Sequence, residues 1–354
     1  MKSRKSVFGF LGMRTLLGLA ACLAPAVADV TPIASAASNA SSVEKQLEGL
    51  RKVFRFGTYA QQVDALGRFT PSLPLSNREA IVEIFTLLEN QLDNNDVLRR
   101  FMDVIENNKL VRFYGMYEKS FLSRDSRGDE ARPDDIALMG ESLRHLVSLS
   151  NAANLPLIES CFTNQVRNRK NPVITSEALR GIEIHKPVWA RDRIRELLKA
   201  DDGNEFVMAA GVKALVAYKN EEDITLLGEL VASSSTPSLP RWNAVAYLGE
   251  YAPSDKAYQK LMAYLMQTDV DIRARAIYAL GFFKNQNVRE LLAKSCKDNS
   301  ARIRIFAVRG LAQWNDEETN ELLQFKYKND SDASVRAAAE KILRERGLVK
   351  DEKK

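Results

Sequence analysis

A nine-residue pattern that recurs along the chain constrains its fold more than any other feature. In the copy from Ile272 to Leu280, the apolar residues fall at helical spacing and form one stripe. The copies end at Ile182, Leu215, Leu248, Leu280, Leu311 and Leu343, which are 33, 33, 32, 31 and 32 residues apart. The fifth position is always small: Ala178, Gly211, Ala244, Ala276, Ala307 and Ala339. A period of this length predicts an array of stacked repeats.

Each repeat is predicted to contain two helices joined by a short polar turn. The nine-residue pattern lies in the first helix, helix A, and a second helical segment, helix B, follows it. The predicted B helices are Glu222–Ala232, Lys256–Met266, Asn287–Lys297 and Glu317–Lys328. Strand-like alternation is absent from the sequence. We therefore predict an all-α solenoid of stacked antiparallel helix pairs over residues 136–346.

The remaining segments are predicted from composition and spacing. Residues 43–120 show helical spacing without a fixed period, which predicts divergent helical repeats, with Asn95 suited to cap one helix. Residues 29–42 are small and polar, as in a flexible linker. Residues 121–135 are mostly charged and contain Gly128 and Pro133, which predicts an exposed loop. Residues 347–354 form a charged tail.

The first 28 residues have the features of an export signal. A basic start precedes the apolar run Leu16–Ala28, and the small residues Ala26 and Ala28 predict cleavage after Ala28. Two alternatives remain: lipidation at Cys22, which ends a lipobox-like sequence, and retention as an uncleaved anchor. The apolar run is short for a bilayer span. All three predict an exported protein, located in the periplasm or cell envelope.

The charge of the chain argues against a nucleic-acid partner. The formal net charge is +5, but the predicted signal contributes four basic residues and no acidic ones, which leaves +1 for the rest. A nearly neutral body gives no electrostatic footprint for a phosphate backbone.

The cysteine and histidine residues give no sign of a disulfide, metal or cofactor site. Cys161 and Cys296 are separated by about four repeats, and at about 10 Å per repeat they lie beyond disulfide reach. We expect both to be buried core thiols. His145 and His185 have no ligand partner at a suitable spacing. We predict no metal, no cofactor and no catalytic residues, because no base accompanies a nucleophile.

The A-helix pattern V-R-x-x-A-x-x-A-L-G, with a polar turn and a period of 31–33 residues, resembles HEAT repeats. The short, phycobilisome-lyase type of this armadillo-like family is the most similar, and the resemblance covers Leu138 to Leu343. It implies bonds between neighbouring repeats, made by an arginine at the second pattern position and by aspartates of the turns. The residues concerned are Arg241, Arg273, Arg304, Arg336, Asp271 and Asp332.

Two further features are candidates for binding. Three residues after the end of the pattern there is an aromatic column: Tyr218, Tyr251, Phe283 and Trp314. These rings could line a ligand groove or could plug the end of each helix pair. Arg127-Gly128-Asp129, in the predicted loop, is the tripeptide that integrins recognise on some surface proteins.

The function predicted from these features is a non-catalytic scaffold of the bacterial cell envelope that binds a protein partner on its concave face. One alternative is an enzyme similar to bilin lyases, or an accessory factor of one, because such enzymes share the short repeat. The other is a surface adhesin that uses Arg127-Gly128-Asp129.

Overall fold

The computed structural model describes residues 47–68, 94–107, 113–125, 131–149, 155–168, 171–200 and 203–349, together with Lys45, Val82, Thr86 and Lys109. Within these ranges all regular secondary structure is helical, which confirms the predicted all-α class. The predicted signal and linker, Cys22, Arg127-Gly128-Asp129 and residues 350–354 lie outside the described residues.

The N-terminal part contains helical residues 47–56 and four further helices. These are α1 (Tyr59–Arg68), α2 (Asn95–Asn107), α3 (Gly115–Asp125) and α4 (Pro133–Ser148). The helix pairs continue as α5 (Leu155–Asn168), α6 (Pro172–His185), α7 (Ala190–Lys199), α8 (Glu205–Val216), α9 (Asp223–Ala232) and α10 (Ser238–Tyr247, extended by a 3₁₀ turn Leu248–Tyr251). The last six are α11 (Asp255–Tyr264), α12 (Val270–Leu280), α13 (Gln286–Ser295), α14 (Ala301–Leu311), α15 (Glu317–Asn329) and α16 (Ala333–Glu345).

The even-numbered helices from α6 to α16 contain the six copies of the nine-residue pattern, and residues Leu138–Leu146 of α4 align with it. These seven helices form the A layer, and the odd-numbered helices from α5 to α15 form the B layer. The predicted B helices agree with α9, α11, α13 and α15 to within one or two residues at each end. In α13 and α15 this agreement follows from the turns, because the side chains of Asn285 and Asp316 cap the helix that comes next.

Most A helices begin at a capping residue three positions before the pattern. The Asp269 carboxylate accepts hydrogen bonds from the N–H groups of Asp271 (2.8 Å) and Ile272 (3.3 Å). Three other A helices have the same arrangement, with the caps Asn171, Asn204 and Asp332. Such a side chain satisfies N–H groups that have no partner inside the helix and so fixes where the helix starts.

The residues of the repeating pattern form the core of the array. The last residue and the small fifth residue are buried in all six copies. They belong to one hydrophobic core that runs from Phe121 to Leu343. The predicted stacking is therefore confirmed: the apolar face of each helix pair is covered by the neighbouring pairs.

The A helices of neighbouring pairs approach each other very closely. A Cβ atom placed on Gly281, at the end of α12, would lie 2.5 Å from the carbonyl oxygen of Gly310 in α14. Each A helix packs against the next along the array, whereas the B helices of neighbouring pairs meet much less. Because a stack bends toward its more closely spaced layer, the A helices line the inner side of the array.

Helix α4 joins the array to a second, N-terminal core. Leu138 and Leu146 face the N-terminal core, and Leu143 and Val147 on the same helix face the core of the array. The N-terminal core is built from residues 47–56, α1, α2 and α3, so it packs on the first A helix of the array. The divergent helices thus cover an end of the solenoid that would otherwise expose apolar surface.

The structure differs from the predicted loop at residues 121–135. Helix α3 continues to Asp125 and α4 begins at Pro133, so both ends of the segment are helical. Arg124 and Asp135 are 1% and 0% exposed, and Asn95 bridges them by accepting from Arg124 Nη2 (2.7 Å) and donating to Asp135 Oδ1 (3.0 Å). Asn95 is therefore not the cap of α2: Asn94 accepts from the N–H groups of Asp96 and Val97.

We predict that Gly281→Ala destabilises the protein by about 1–3 kcal/mol, because the new methyl group would collide with the backbone of α14. The control is Gly49→Ala in helical residues 47–56, where an added Cβ meets nothing within 4 Å; it should stabilise by up to about 1 kcal/mol through helix propensity. Urea unfolding followed by circular dichroism measures both changes. An unchanged unfolding midpoint for Gly281→Ala would contradict the close packing of α12 and α14.

Candidate functional site

The inner surface of the A layer is formed by the fourth, seventh and eleventh positions counted from the start of the repeating pattern. These positions lie on one side of a helix, opposite the buried stripe. Between α12 and α16 they contribute Arg275, Tyr278 and Phe282, then Phe306, Arg309 and Gln313, then Ala338, Lys341 and Glu345. All of them except Phe282 line a groove of about 480 Å³, which we call the A-face groove.

Phe306 lies at the centre of this groove and is surrounded by arginines. The guanidinium carbons of Arg275, Arg302 and Arg309 lie 5.3, 5.3 and 5.4 Å from the centre of its ring. The ring of Tyr278 meets Phe306 edge-on at 6.4 Å. Arg275 also covers the ring of Trp242 on α10, at 4.3 Å. Cation–π contacts of this kind hold the arginines in place, and they leave the outer N–H groups of Arg309 available to a ligand.

The groove has an excess of positive charge. Arg302 pairs with Asp271 at 2.6 Å, and Arg275 pairs with the same carboxylate at 3.2 Å. Lys341, which also lines the groove, has Glu345 as its nearest carboxylate partner.

 The separation of 3.9 Å between Lys341 Nζ and Glu345 Oε1 makes this a weak, exposed ion pair. Within the described part of the chain, no carboxylate pairs with Arg309.

The same surface is neutralised in the N-terminal part of the array. There Arg144, at the seventh position of α4, donates to Glu177, at the fourth position of α6, at 2.8 Å. Glu177 also pairs with Arg180 at 3.4 Å. In α14 and α16 the corresponding residues are Arg309 and Ala338, so the internal carboxylate is missing. The A-face groove is therefore the part of this surface where cationic groups are left for an external partner.

The predicted arginine column holds the turns between helix pairs. Arg273 donates to the carbonyl oxygens of Gln267 (2.7 Å) and Thr268 (2.8 Å), six and five residues earlier. Arg304 and Arg336 bind the carbonyls at the same two offsets. Arg241 instead reaches Asp269, the cap of the next A helix, at 3.5 Å. Each arginine thus ties an A helix to the turn before or after it.

The two predicted aspartates have different roles. Asp271 pairs with Arg302 on the next A helix, whereas Asp332 caps its own helix through the N–H groups of Ser334 and Val335. Sequence reasoning missed Asp330, which accepts from Arg304 (2.8 Å) and Lys326 (3.0 Å) and has a side chain only 3% exposed. Burial opposes its ionisation, but hydrogen bonds from Arg304, the Asp332 N–H and Lys326 outweigh burial and hold the pKa of Asp330 well below its ordinary value.

The predicted aromatic column packs into the core of the array and away from the A-face groove. Tyr251 and Phe283 are buried, and Phe283 contacts the ring of Tyr258 at 5.5 Å. Tyr218 and Trp314 are partly buried, and the Tyr218 hydroxyl donates to the Pro187 carbonyl at 2.7 Å. These four positions therefore close the ends of the helix pairs, and the rings that face the groove are Tyr278 and Phe306.

The cysteines and histidines lie in packed surroundings. Cys161 and Cys296 are free and buried, and burial raises the pKa of each thiol to about 12. His145 stacks on Tyr117 at 4.8 Å and contacts Glu106 at 2.9 Å. Among the described residues there is no group of three metal-ligating side chains. None of the helices described is both long and apolar enough to span a membrane.

Helix pairs that repeat every 31–33 residues and cover one another in a row define an α-solenoid. Residues 258–344, which extend from α11 to α16, match the family model for HEAT repeats. This stretch therefore consists of HEAT repeats, as the resemblance in its A helices predicted. The matched region contains all the residues that line the A-face groove except Ala246 of α10 and Glu345.

Two solved structures are similar to this chain, with low sequence identities and low TM-scores. Human deoxyhypusine hydroxylase in complex with glycerol aligns with 80% of this chain and 95% of its own, at 16% identity and a TM-score of 0.29. An engineered protein aligns with 84% of this chain and 88% of its own, at 17% identity and a TM-score of 0.40. These values are too low to transfer a function. No curated protein matches this chain.

We predict that Asp330→Asn destabilises the protein by about 3–5 kcal/mol at pH 7, because Arg304 and Lys326 would lose the carboxylate buried between them. Because the folded-state pKa of Asp330 is depressed, its contribution is present above its ordinary value of 3.8 and is lost as the pH falls below it. The difference between wild type and variant should therefore shrink on acidification.

The matched control is Asp332→Asn, two residues away, which keeps a good helix cap and should change stability by less than about 0.5 kcal/mol. Urea unfolding at pH 7 and pH 3 measures all three proteins. Equal stability of the two variants at pH 7 would contradict the role of the Asp330 cluster.

Proposed function

We propose that this protein is a non-catalytic scaffold that binds a partner protein on the inner surface of its A layer. The helical repeats provide the scaffold. The observation that carries the proposal is the A-face groove, where Arg309 lacks the carboxylate partner that Arg144 has on α4 and lies beside the rings of Phe306 and Tyr278. Arginine and aromatic side chains are the groups most enriched at the energetic centres of protein interfaces.

The charge distribution favours a protein as the partner. The chain outside the predicted signal has a formal net charge near zero, so the cations of the groove do not belong to a strongly basic chain of the kind that binds a nucleic-acid backbone. A local cationic patch around aromatic rings can orient a partner and anchor it without attracting polyanions in general.

We further propose that the protein acts in the periplasm or elsewhere in the cell envelope, since residues 1–28 have the pattern of an export signal. The two other functions remain predictions. The bilin-lyase-like enzyme depends on the resemblance of the short repeat alone. The adhesin depends on Arg127-Gly128-Asp129, which lies outside the described residues.

Site-specific crosslinking in cells tests the scaffold. A photoreactive amino acid at Gln313, in the A-face groove, should capture a reproducible partner that mass spectrometry identifies. The same amino acid at Gln286, an exposed position in the B layer, is the matched control and should capture several-fold less of that partner. Equal capture at both positions, or no reproducible partner from Gln313, would contradict the proposal.

The export proposal is tested by the mass of the protein recovered from cell fractions. Cleavage after Ala28 predicts a chain that begins at Asp29, and Ala28→Leu should block processing whereas Cys22→Ser leaves it unchanged. A lipoprotein would give the reverse pattern, with a lipidated N-terminus at Cys22. Recovery of the intact chain in the cytoplasmic fraction would rule out export.

A further inference from the structure

From the A-face groove we infer the chemistry of the segment that it binds: a short, extended acidic peptide with one bulky apolar side chain. This inference rests on the proposed scaffold function and specifies its ligand. It follows from the charges in the groove, from the aromatic surface beside these charges and from the distance that the groove spans between α12 and α16.

The first argument is charge complementarity. Arg309 is exposed and has no carboxylate partner within the described ranges, while Lys341 has only the long contact to Glu345. Both side chains are at the seventh position of their helices, so they project from neighbouring A helices in the same direction. Two cations in this arrangement can pair with two carboxylates of one extended peptide bound in the groove.

The second argument is the aromatic surface beside these cations. The rings of Phe306 and Tyr278 are only partly buried, and Phe306 is held between three guanidinium groups. The rings are fixed by these contacts, so an apolar side chain that lands on them loses little of its binding energy to reordering of the groove. An aromatic or large aliphatic side chain next to the carboxylate that meets Arg309 would cover them.

The third argument is size. Packed helices lie 8–10 Å apart, so the distance from α12 to α16 is about 20 Å. An extended peptide advances about 3.3 Å per residue, so about six residues cross the groove. Successive side chains of such a peptide point to opposite sides, which lets alternate residues face the groove.

The groove in the B layer between α13 and α15 also contains an aromatic ring, Phe325, and a lysine, Lys297, but its charges are balanced differently. Its central arginine, Arg289, is paired with Asp316 and with Glu318, the latter at 2.9 Å. Glu290 and Glu321 add negative charge to its walls. An acidic peptide would be repelled there, so the A-face groove is the better site for it.

The test is fluorescence anisotropy with the purified full-length protein and a fluorescein-labelled heptapeptide that carries four carboxylates around a central phenylalanine. We expect saturable binding that weakens as salt is added. A peptide with alanine in place of the phenylalanine should bind about tenfold more weakly, and a peptide with lysine in place of each acid should not bind.

The sharpest variant is Ala338→Glu. It places a carboxylate at the fourth position of α16, where it can pair with Arg309 as Glu177 pairs with Arg144. The protein should stay folded, and peptide binding should weaken about tenfold because the groove then satisfies its own cation. The matched control is Asn287→Glu, which adds the same charge at an exposed B-layer position and should leave binding unchanged.

A second pair of variants compares charge reversal on the two layers. Arg309→Glu should reduce binding more than Ala338→Glu, while Lys294→Glu, an exposed position on α13, should have no effect. Circular dichroism before each titration confirms that the variants are folded. Binding by Ala338→Glu equal to that of the wild type would overturn the inference.

Two further results would also overturn it. One is equal binding of the lysine peptide, and the other is equal binding of a seven-nucleotide single-stranded DNA, which would show that any polyanion suffices. Failure of the peptide to bind, together with crosslinking from Gln313 to a reproducible partner, would remove the acidic-peptide chemistry and leave the scaffold function standing. Peptide binding without any partner in cells would do the opposite.

Discussion

The close approach of successive A helices is the interaction on which the rest of the structure depends. A single helix pair of about thirty residues cannot bury its apolar face, so each pair needs a neighbour. The small residue at the fifth pattern position and the contact of Gly281 with the backbone at Gly310 allow that neighbour to come near. The buried leucines then form one continuous core, and the closer spacing of the A layer makes it the inner side of the array.

Polar contacts set the position of each pair relative to the next one. The arginines at the second pattern position bind polar groups of the turns, as Arg273 does. Asp330 pairs with both Arg304 and Lys326 and forms a buried cluster with them. Charged groups with this little exposure are stable only when every partner is in place, so they favour one register over its alternatives. The junction of Arg124, Asn95 and Asp135 does the same between the N-terminal core and the array.

The inner surface is not uniform, and this difference bears on function. In α4 and α6 its charges pair with each other, as Arg144 does with Glu177. In α14 and α16 an alanine replaces the acidic partner, and aromatic rings lie beside the cation that is left over. The same backbone thus presents a neutral surface at one end and a cationic, aromatic groove at the other. A repeat protein can specialise one segment in this way because each pair contacts only its neighbours.

The sequence by itself determined the repeat, the all-α class, the core residues and the boundaries of the B helices, because all of these follow from local spacing and from turn residues. Tertiary structure decided the rest. Asp135 and Arg124 looked like loop residues, yet they are buried, because their partners come from helices distant in the chain. Tyr278 and Phe306 did not stand out, since a groove arises only when the fourth and seventh positions of neighbouring helices are brought side by side. A helical period reports which face is buried, but not which side chains meet across two helices.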